Sequence, residues 1–315
     1  PLGSSMTGLA TAAELVAEPS TLQHPCSGRS LARPDLAYQI IIRAENPGNS
    51  SQNLLFLPFP DMLRWNNPRA TPPMAHLHTI DMPSFAGRPP LSLTCIESSP
   101  FAENSYVLAR TDRGICLVFD PGFEPDAIID VIESNDLAPQ AILLTHGHSD
   151  HIAGNAALKQ RWPDLPILVG ESEANKLIDP EKNLSRGFGI DLVSPPADRM
   201  LRDHERFEIA GFLVEVHEIP GHSSGHVAFL VWPEEASDGP PMVFAGDILF
   251  RGSIGRTDFP DGSFPILAAG IRERLYPLPE ASLVLPGHGE PTTIGRERTS
   301  NPYVTAAGDG RGELT

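Results

Sequence analysis

The sequence predicts an α/β fold in which two mixed β-sheets are flanked by helices. From Leu91 onward, apolar runs of strand length alternate with helix-like segments, and turn residues separate the two. Strands that alternate with helices favour parallel neighbours, whereas strands joined by tight turns favour antiparallel hairpins. Because both kinds of connection occur, each sheet is expected to be mixed, with the helices packed on the outer faces.

The predicted elements follow one another from residue 91 to residue 285. Apolar runs bounded by turn residues predict strands at 91–96, 106–110, 115–119, 141–144, 167–169, 207–209, 212–218, 227–232, 242–245 and 283–285. Longer segments of mixed polarity predict helices at 125–135, 155–162, 171–177 and 265–275.

Length and charge narrow the class of protein. The chain has 315 residues, enough for one large domain or two modest ones. Apolar residues make up 40% and charged residues 20%, as in an average globular protein, and no apolar run is long enough to span a membrane, so a soluble protein is expected. The net charge of -17 repels nucleic acid and anionic membrane surfaces, so neither is an expected partner.

Cysteine usage indicates a reducing compartment. Cys26, Cys95 and Cys116 are too few and too scattered for a disulfide framework, and Cys116 lies inside an apolar run. The sequence also lacks a charged start followed by an apolar core, the pattern of a secretory signal. A cytoplasmic setting is therefore expected.

The N-terminal part differs in composition from the rest. Residues 1–5 are typical of the remnant of a cleaved expression tag. Residues 6–73 are rich in Pro, Ser and Asn, which predicts either a disordered extension or an arm that packs on a neighbouring subunit of a homo-oligomer. Met74 stands just before the first regular pattern and is an alternative translation start. We expect the functional domain to span residues 74–315.

The strongest chemical signal follows the predicted strand 141–144. Four side chains of the types that bind metals, His146, His148, Asp150 and His151, occupy six consecutive positions. Alternate spacing directs the first two the same way, and a tight turn at Gly147 is expected to bring the other two back towards them. Packing so much titratable chemistry together has no rationale in stability, so a metal site is predicted.

Three further candidate ligands repeat the same local pattern. His222, Asp247 and His288 each follow an apolar strand and stand next to a glycine. Strand ends are common places for binding groups, because the scaffold holds them rigidly while the loop exposes them. The repetition indicates that several strands end at one shared site.

Taken together, these motifs resemble the metallo-β-lactamase superfamily over roughly residues 91–304. The family pattern is Thr-His-x-His-x-Asp-His, then a third His, a bridging Asp and a last His, and this sequence contains all of them in order. The resemblance implies an αββα sandwich with metal ions at one edge of the two sheets.

The resemblance also implies roles for individual residues and a cofactor of two divalent ions. The first ion would be held by His146, His148 and His222, the second by Asp150, His151 and His288, and both by Asp247. Asp120 would orient the ligand loop, with Thr145 and His226 also behind the ligands. Imidazole and carboxylate ligands suit zinc, with iron or manganese as alternatives. Asp150 and Asp247 would act with a metal-bound hydroxide on a polarised carbonyl.

Two segments point to one branch of the family. Residues 246–260 resemble glyoxalase II, and residues 287–303 resemble its short bacterial relatives. The resemblance implies hydrolysis of a small-molecule thioester to a 2-hydroxy acid and a thiol. Longer glyoxalase II enzymes carry a helical C-terminal domain that binds glutathione, whereas this chain ends at Thr315. The resemblance therefore leaves two alternatives for the thiol part of the substrate, glutathione or another thiol. Arg256 either contacts that thiol or forms an ordinary ion pair with Asp258.

Other functions remain open at this point. The nearest rival is an iron-dependent persulfide dioxygenase, which resembles the chain in the same ligand loop. A β-lactamase or lactonase, or a non-catalytic binding module of the same fold, fits less well because all seven ligand positions are kept and no export signal is present. His204 and His217 stand among charged residues, and we expect them on a solvent face with no role at the site.

Overall fold

The computed structural model describes residues 76–80 and 89–305. The predictions for residues 1–5 and 6–73 therefore lie outside the described residues. Within them the chain forms two β-sheets packed face to face, with helices on both outer sides. The predicted sandwich of mixed sheets is confirmed.

The first sheet has seven strands in the order β1-β2-β3-β4-β5-β6-β7. Neighbours from β1 to β4 are antiparallel, and neighbours from β4 to β7 are parallel, so the sheet is mixed. Its strands are β1 (His76–Ile80), β2 (Leu91–Ser98), β3 (Glu103–Arg110), β4 (Ile115–Phe119), β5 (Ala138–Leu144), β6 (Ile167–Gly170) and β7 (Arg199–Leu201).

The second sheet has six strands in the order β15-β14-β11-β10-β9-β8. Only β11 and β14 pair in parallel, and the other neighbours are antiparallel. Its strands are β8 (Arg206–Ile209), β9 (Phe212–Glu218), β10 (Val227–Pro233), β11 (Met242–Gly246), β14 (Leu283–Pro286) and β15 (Thr292–Thr293). A small hairpin of β12 (Leu249–Phe250) and β13 (Ser253–Ile254) lies between β11 and β14 in the chain.

Helices fill the outer layers. They are α1 (Pro125–Ser134), α2 (Ser149–Ile152), α3 (Asn155–Arg161), α4 (Phe264–Gly270) and α5 (Ile294–Ser300). The segment predicted as a helix at 171–177 is a 3₁₀ helix, Glu171–Lys176, and α4 continues as a π-helical turn, Ile271–Leu275. None of the helices in the described part of the chain has the length and apolar character needed to span a bilayer.

Three apolar clusters hold the four layers together. The central one lies between the sheets, where Phe119 of β4 stacks on Phe244 of β11 at 3.6 Å between ring centroids. Ile128 and Ile132 of α1 pack on the outer face of the first sheet. Leu267 of α4 packs on the outer face of the second. Burial of these faces, at about 25 cal/mol per Å² of apolar surface, is the main force that keeps the strand ends in register.

Sequence reasoning missed β1 and β7, which are the two edge strands of the first sheet. β1 pairs with β2 through register contacts such as His78 with Cys95, and its side chains from His76 to Thr79 are exposed. A strand whose pairing comes from backbone hydrogen bonds on one side only need not show an apolar alternation. The sequence therefore gave little local indication of either edge.

A chain that starts at Met74 is expected to fold and to keep the activity of the full chain, because it retains every strand and helix of the described sandwich and all seven candidate ligands. The measurements are thermal unfolding and turnover of the two chains side by side. A truncated chain that loses its oligomeric state in sedimentation experiments would support the packing arm instead.

Candidate metal centre

All seven candidate ligands lie at one edge of the sandwich, where four strands end. His146, His148, Asp150 and His151 follow β5, and α2 turns the last two back towards the first two. The turn is therefore helical, and Gly147, whose φ is not positive, is not its cause. From the second sheet, His222 follows β9, Asp247 follows β11 and His288 follows β14.

Three buried imidazoles form the first group of donors. His146 Nε2 and His222 Nε2 each lie 3.0 Å from His148 Nδ1. Burial lowers the pKa of all three rings below the ordinary histidine value, so the rings are neutral at pH 7. A neutral imidazole has one N–H donor and one lone pair.

The hydrogen bonds behind this group fix where its protons are. His222 Nδ1 donates to the carbonyl oxygen of Arg256 at 2.9 Å, and a carbonyl can only accept. His146 Nδ1 donates to the Thr145 hydroxyl at 3.1 Å, because that hydroxyl gives its own proton to Asp120. Both Nε2 atoms therefore present lone pairs to the same point. That point is His148 Nδ1, and the two lone pairs need a positive partner there, either the Nδ1–H of His148 or a cation among the three nitrogens.

The second group consists of Asp150, His151 and His288. His288 Nε2 lies 3.5 Å from Asp150 Oδ2, and His151 Nε2 lies 3.8 Å from the same oxygen. Burial alone would raise the pKa of Asp150, but the two imidazoles outweigh it and hold that pKa below its usual range. Burial alone would lower the pKa of His151 and His288, but the nearby carboxylates, Asp247 among them, outweigh it and raise both. The group therefore attracts positive charge.

Asp247 lies between the two groups. Its Oδ2 is 3.4 Å from His222 Nε2 and 3.5 Å from His288 Nε2, and its Oδ1 is 3.5 Å from His151 Nε2. One carboxylate thus touches ligand atoms of both groups, as a bridging ligand must. Asp247 Oδ1, His148 Nε2 and His151 Nε2 are buried without a hydrogen-bond partner, which is costly for polar atoms in an apolar interior.

The donor set therefore fits metal ions. Nitrogens bound to one tetrahedral zinc at about 2.0–2.1 Å lie about 3.3 Å from one another, close to the separations in the first group. The clusters His146–His148–His222, His146–His151–Asp247 and Asp150–His151–His288 each bring their donor atoms within 4.8 Å. Two ions that share Asp247 would satisfy both groups.

Asp120 accepts hydrogen bonds from the loop that carries the candidate ligands His146 and His151. Its Oδ1 accepts the backbone N–H of Thr145 at 2.7 Å, and its Oδ2 accepts the Thr145 hydroxyl at 2.7 Å. The same Oδ2 accepts Nδ1–H of His151 at 3.2 Å, which leaves the Nε2 of that ring facing Asp247. Asp120 itself has a φ of 45°, a backbone conformation that Asp tolerates better than most residues.

His226 lies behind the ligands. Its ring stacks on His146 with 4.4 Å between the centroids, and its Nε2 accepts the backbone N–H of Asp247 at 3.0 Å. Its position therefore fixes the start of the Asp247 loop.

The loop of His288 is anchored to the opposite sheet by residues that sequence reasoning missed. Asn104 Nδ2 donates to the carbonyls of Pro286 and Gly289, and the Asn104 N–H donates to Gly287. His288 Nδ1 donates in turn to the carbonyls of Phe101 and Ala102. The sequence feature that could have indicated these residues is the polar run Glu103-Asn104-Ser105. It lies at the start of β3 and is buried.

Arg256 forms the ion pair with Asp258 that the sequence offered as the alternative to a contact with the substrate thiol. Its guanidinium makes two hydrogen bonds of 2.7 Å to Asp258, and its side chain is 59% exposed. The guanidinium also lies over the ring of Phe259, 4.4 Å from its centroid. That ring packs edge-on against His148 and His222, so Arg256 lies at the rim of the first group.

A fourth cluster, His204, Glu215 and His217, also brings donor atoms within 4.8 Å. The expectation of a solvent face is wrong for His217, which is buried beneath His204. Arg274 donates to His204 Nε2 at 2.8 Å, and Arg206 donates to Glu215 at 2.6 Å. Because two guanidinium groups already occupy these donors, we assign no metal to this cluster.

Comparisons with known proteins agree with this geometry. A family model described as the metallo-beta-lactamase superfamily matches residues 99–288, more than half of the chain. The chain is 38% identical to a probable metallo-hydrolase, YqgX of Bacillus subtilis, over 65% of this chain and 93% of that protein. It is 33% identical to the hydroxyacylglutathione hydrolase GloC of Haemophilus influenzae, over 69% of this chain and 99% of that protein.

Solved structures share the fold. The crystal structure of BLEG-1, described as a B3 metallo-beta-lactamase, superposes with a TM-score of 0.62 at 38% identity, covering 68% of this chain and 99% of that chain. The structure of TTHA1623 in a di-iron-bound form superposes with a TM-score of 0.55 at 36% identity, covering 67% and 99%. Relatives of this chain thus include a protein that holds two metal ions.

Replacing Asp247 with Ala is expected to remove the shared carboxylate and lower kcat by several orders of magnitude, with the fold kept. Metal content per chain, circular dichroism and turnover are the measurements. Asp238→Ala, at an exposed aspartate, is the control and should change none of them. Near-normal activity of the Asp247 variant would rule out the bridging role.

Replacing Asp120 with Asn is expected to weaken metal binding about 10- to 100-fold. An amide offers one acceptor oxygen where the carboxylate uses two, so either the Thr145 N–H or the His151 Nδ1–H loses its partner. The measurement is a zinc titration against a chromophoric chelator. Unchanged affinity would show that the loop keeps its shape without this carboxylate.

Proposed function

This chain belongs to the metallo-β-lactamase superfamily of metal-dependent hydrolases, and we propose that it cleaves thioesters with two divalent metal ions, as a short glyoxalase II-like enzyme. The observation that carries the proposal is the complete pair of donor groups joined by Asp247. Similarity to the hydroxyacylglutathione hydrolase GloC over almost the whole length of that protein supports the substrate class.

The residues of the site have two kinds of role: they hold the metal ions, and they orient the reacting water by hydrogen bonding. When bound, two divalent ions supply a nucleophile from water at neutral pH and a positive charge beside the carbonyl oxygen. Asp150, partly exposed at the site, stays ionised because His151 and His288 hold its pKa down. Its carboxylate can therefore accept a hydrogen bond from the reacting water and orient it. Asp247 keeps the two groups of donors together.

The leaving group favours a thioester over an amide. A thiol has a pKa of about 8.5, so a thiolate leaves near neutral pH with little help from a proton donor, whereas an amine must be protonated. Asp150, His151 and His288 are the candidate ligands of one ion, so none of them is free to protonate a leaving group. The site thus suits a substrate whose leaving group needs no proton.

The residues at the rim of the site indicate which thiol the substrate could contain. Phe259 covers His148 and His222, and Phe250 lies 6.0 Å from His288 between ring centroids. Arg256 stands over Phe259 and could meet an anionic carrier such as glutathione, although such a carrier must compete with Asp258 for it. The carrier is therefore proposed as glutathione or a smaller thiol.

Persulfide oxidation is the second candidate. It needs a redox-active iron with open coordination positions, and the di-iron form of TTHA1623 shows that a relative accepts iron. A site whose two donor groups are both complete favours two ions and hydrolysis. Amide hydrolysis enters as a third candidate, since BLEG-1 is described as a β-lactamase.

The deciding experiment compares three substrates on one preparation of known metal content. We expect the full chain with two metal ions to release thiol from lactoylglutathione under anaerobic conditions. Oxygen uptake with glutathione persulfide and opening of a chromogenic β-lactam are the parallel assays. Oxygen consumption by a protein with one iron and no thioester cleavage would overturn the proposal, and so would β-lactam turnover in place of thiol release.

A further inference from the structure

Glu173 is a buried carboxylate to which sequence reasoning gave no role. It lies in the 3₁₀ helix Glu171–Lys176 that follows β6, and it is 0% exposed. Burying a carboxylate is costly unless several donors satisfy its oxygens. The identity of those donors therefore indicates what the residue does.

The donors come from the two loops that carry the first group of histidines. Glu173 Oε2 accepts the N–H of Gly147, the residue between His146 and His148, at 2.9 Å. Glu173 Oε1 accepts the Ser223 hydroxyl at 2.6 Å and the N–H of Gly225 at 2.7 Å, just after His222. One carboxylate thus links a loop of the first sheet to a loop of the second.

Both loops approach the 3₁₀ helix so closely that only glycine fits. A Cβ at Gly147 would lie 2.6 Å from Cβ of Lys176, and a Cβ at Gly225 would lie 2.3 Å from Cβ of Ser172. The glycines in the two ligand motifs therefore have a packing reason. They allow the backbone N–H groups to reach the carboxylate.

Lys176 extends the network towards the rim. Its Nζ lies 3.1 Å from Glu173 Oε1 and donates to Ser223 Oγ. The same Nζ donates to Asp261 at 2.6 Å, and Asp261 accepts the N–H of Ser224 at 3.0 Å. The ammonium group neutralises the buried carboxylate, which makes a charged clamp tolerable at this depth.

We propose that Glu173 is a positioning residue that sets the separation of His146, His148 and His222 and so tunes the first metal position without touching a metal. The second group has different supports, Asp120 for His151 and the Phe101 and Ala102 carbonyls for His288, so it does not depend on this clamp. The inference rests on the proposed metal site but not on the substrate.

The test is Glu173→Gln in the full chain. A glutamine has one acceptor oxygen, so it cannot serve both loops, and its NH₂ group faces a donor. We expect the affinity for one of two zinc ions to fall about 10- to 100-fold while the other is retained. Zinc titration against a chromophoric chelator measures both affinities, and the ring signals of His222 and His288 in NMR spectra show which group releases its ion.

Glu297→Gln is the matched control. Glu297 is also 0% exposed and accepts a glycine N–H, from Gly252 at 2.8 Å, a hydroxyl, from Thr292 at 2.6 Å, and an amide, from Asn301 at 3.0 Å. Its partners lie outside the two histidine loops. This variant should lower the melting temperature by a similar amount but leave both zinc affinities unchanged.

A direct readout comes from the metal-free protein. Hydrogen bonds to a carboxylate shift amide proton signals downfield in NMR spectra. The amide protons of Gly147 and Gly225 should lose this shift in the Glu173 variant and keep it in the Glu297 variant. If Glu173→Gln does not fold, Ser223→Ala replaces it, with about a 10-fold loss of affinity expected at the same position. Unchanged zinc affinities of the Glu173 variant, or equal losses in the Glu297 control, would overturn the proposal.

None of these measurements uses a substrate. Failure of the thioester assay alone would therefore not contradict the proposed role of Glu173.

Discussion

His146 Nε2 and His222 Nε2 both direct a lone pair at His148 Nδ1 from 3.0 Å, and the rings are held in this arrangement by the surrounding structure. Three imidazoles that were free to rotate would not all keep their nitrogens directed at one point. Each ring is therefore fixed from behind, by Thr145, by the Arg256 carbonyl and by packing in a buried edge. The apolar sandwich supplies the rigidity that such a site needs.

The glycines that stand beside His222, Asp247 and His288 reflect crowding at this edge. Four strands from two sheets finish within a few ångströms of one another, and their loops must pass without side chains between them. Gly287 illustrates this, because a Cβ there would lie 2.3 Å from Asp247 Oδ1. A larger residue would push the Asp247 carboxylate away from the histidines. At Gly221 and Gly246 the backbone adds a second reason for glycine, because their φ angles are positive, 125° and 45°.

Local patterns predicted the parts of the structure whose causes are local. The apolar runs predicted β4 and β9 with their observed bounds, and the dense histidine motif marked the ligand loop. Glu173 could not be predicted in this way, because its partners Gly147, Ser223 and Gly225 are distant in sequence and meet only after the sheets pack. The same holds for Asn104, whose bonds cross to the loop of His288. An isolated glutamate in a polar helix gives no sign that it will be buried.

The donors are divided between the two halves of the sandwich. His146, His148, Asp150 and His151 belong to loops of the first sheet, while His222, Asp247 and His288 belong to the second. Ions held by both sets would cross-link the sheets, because each of the two donor groups combines residues from both sheets. By mass action, any species that binds the folded chain and not the unfolded one stabilises the fold in proportion to the logarithm of its free concentration. The supply of metal in the cell would then control how long the protein survives proteolysis as well as how fast it works.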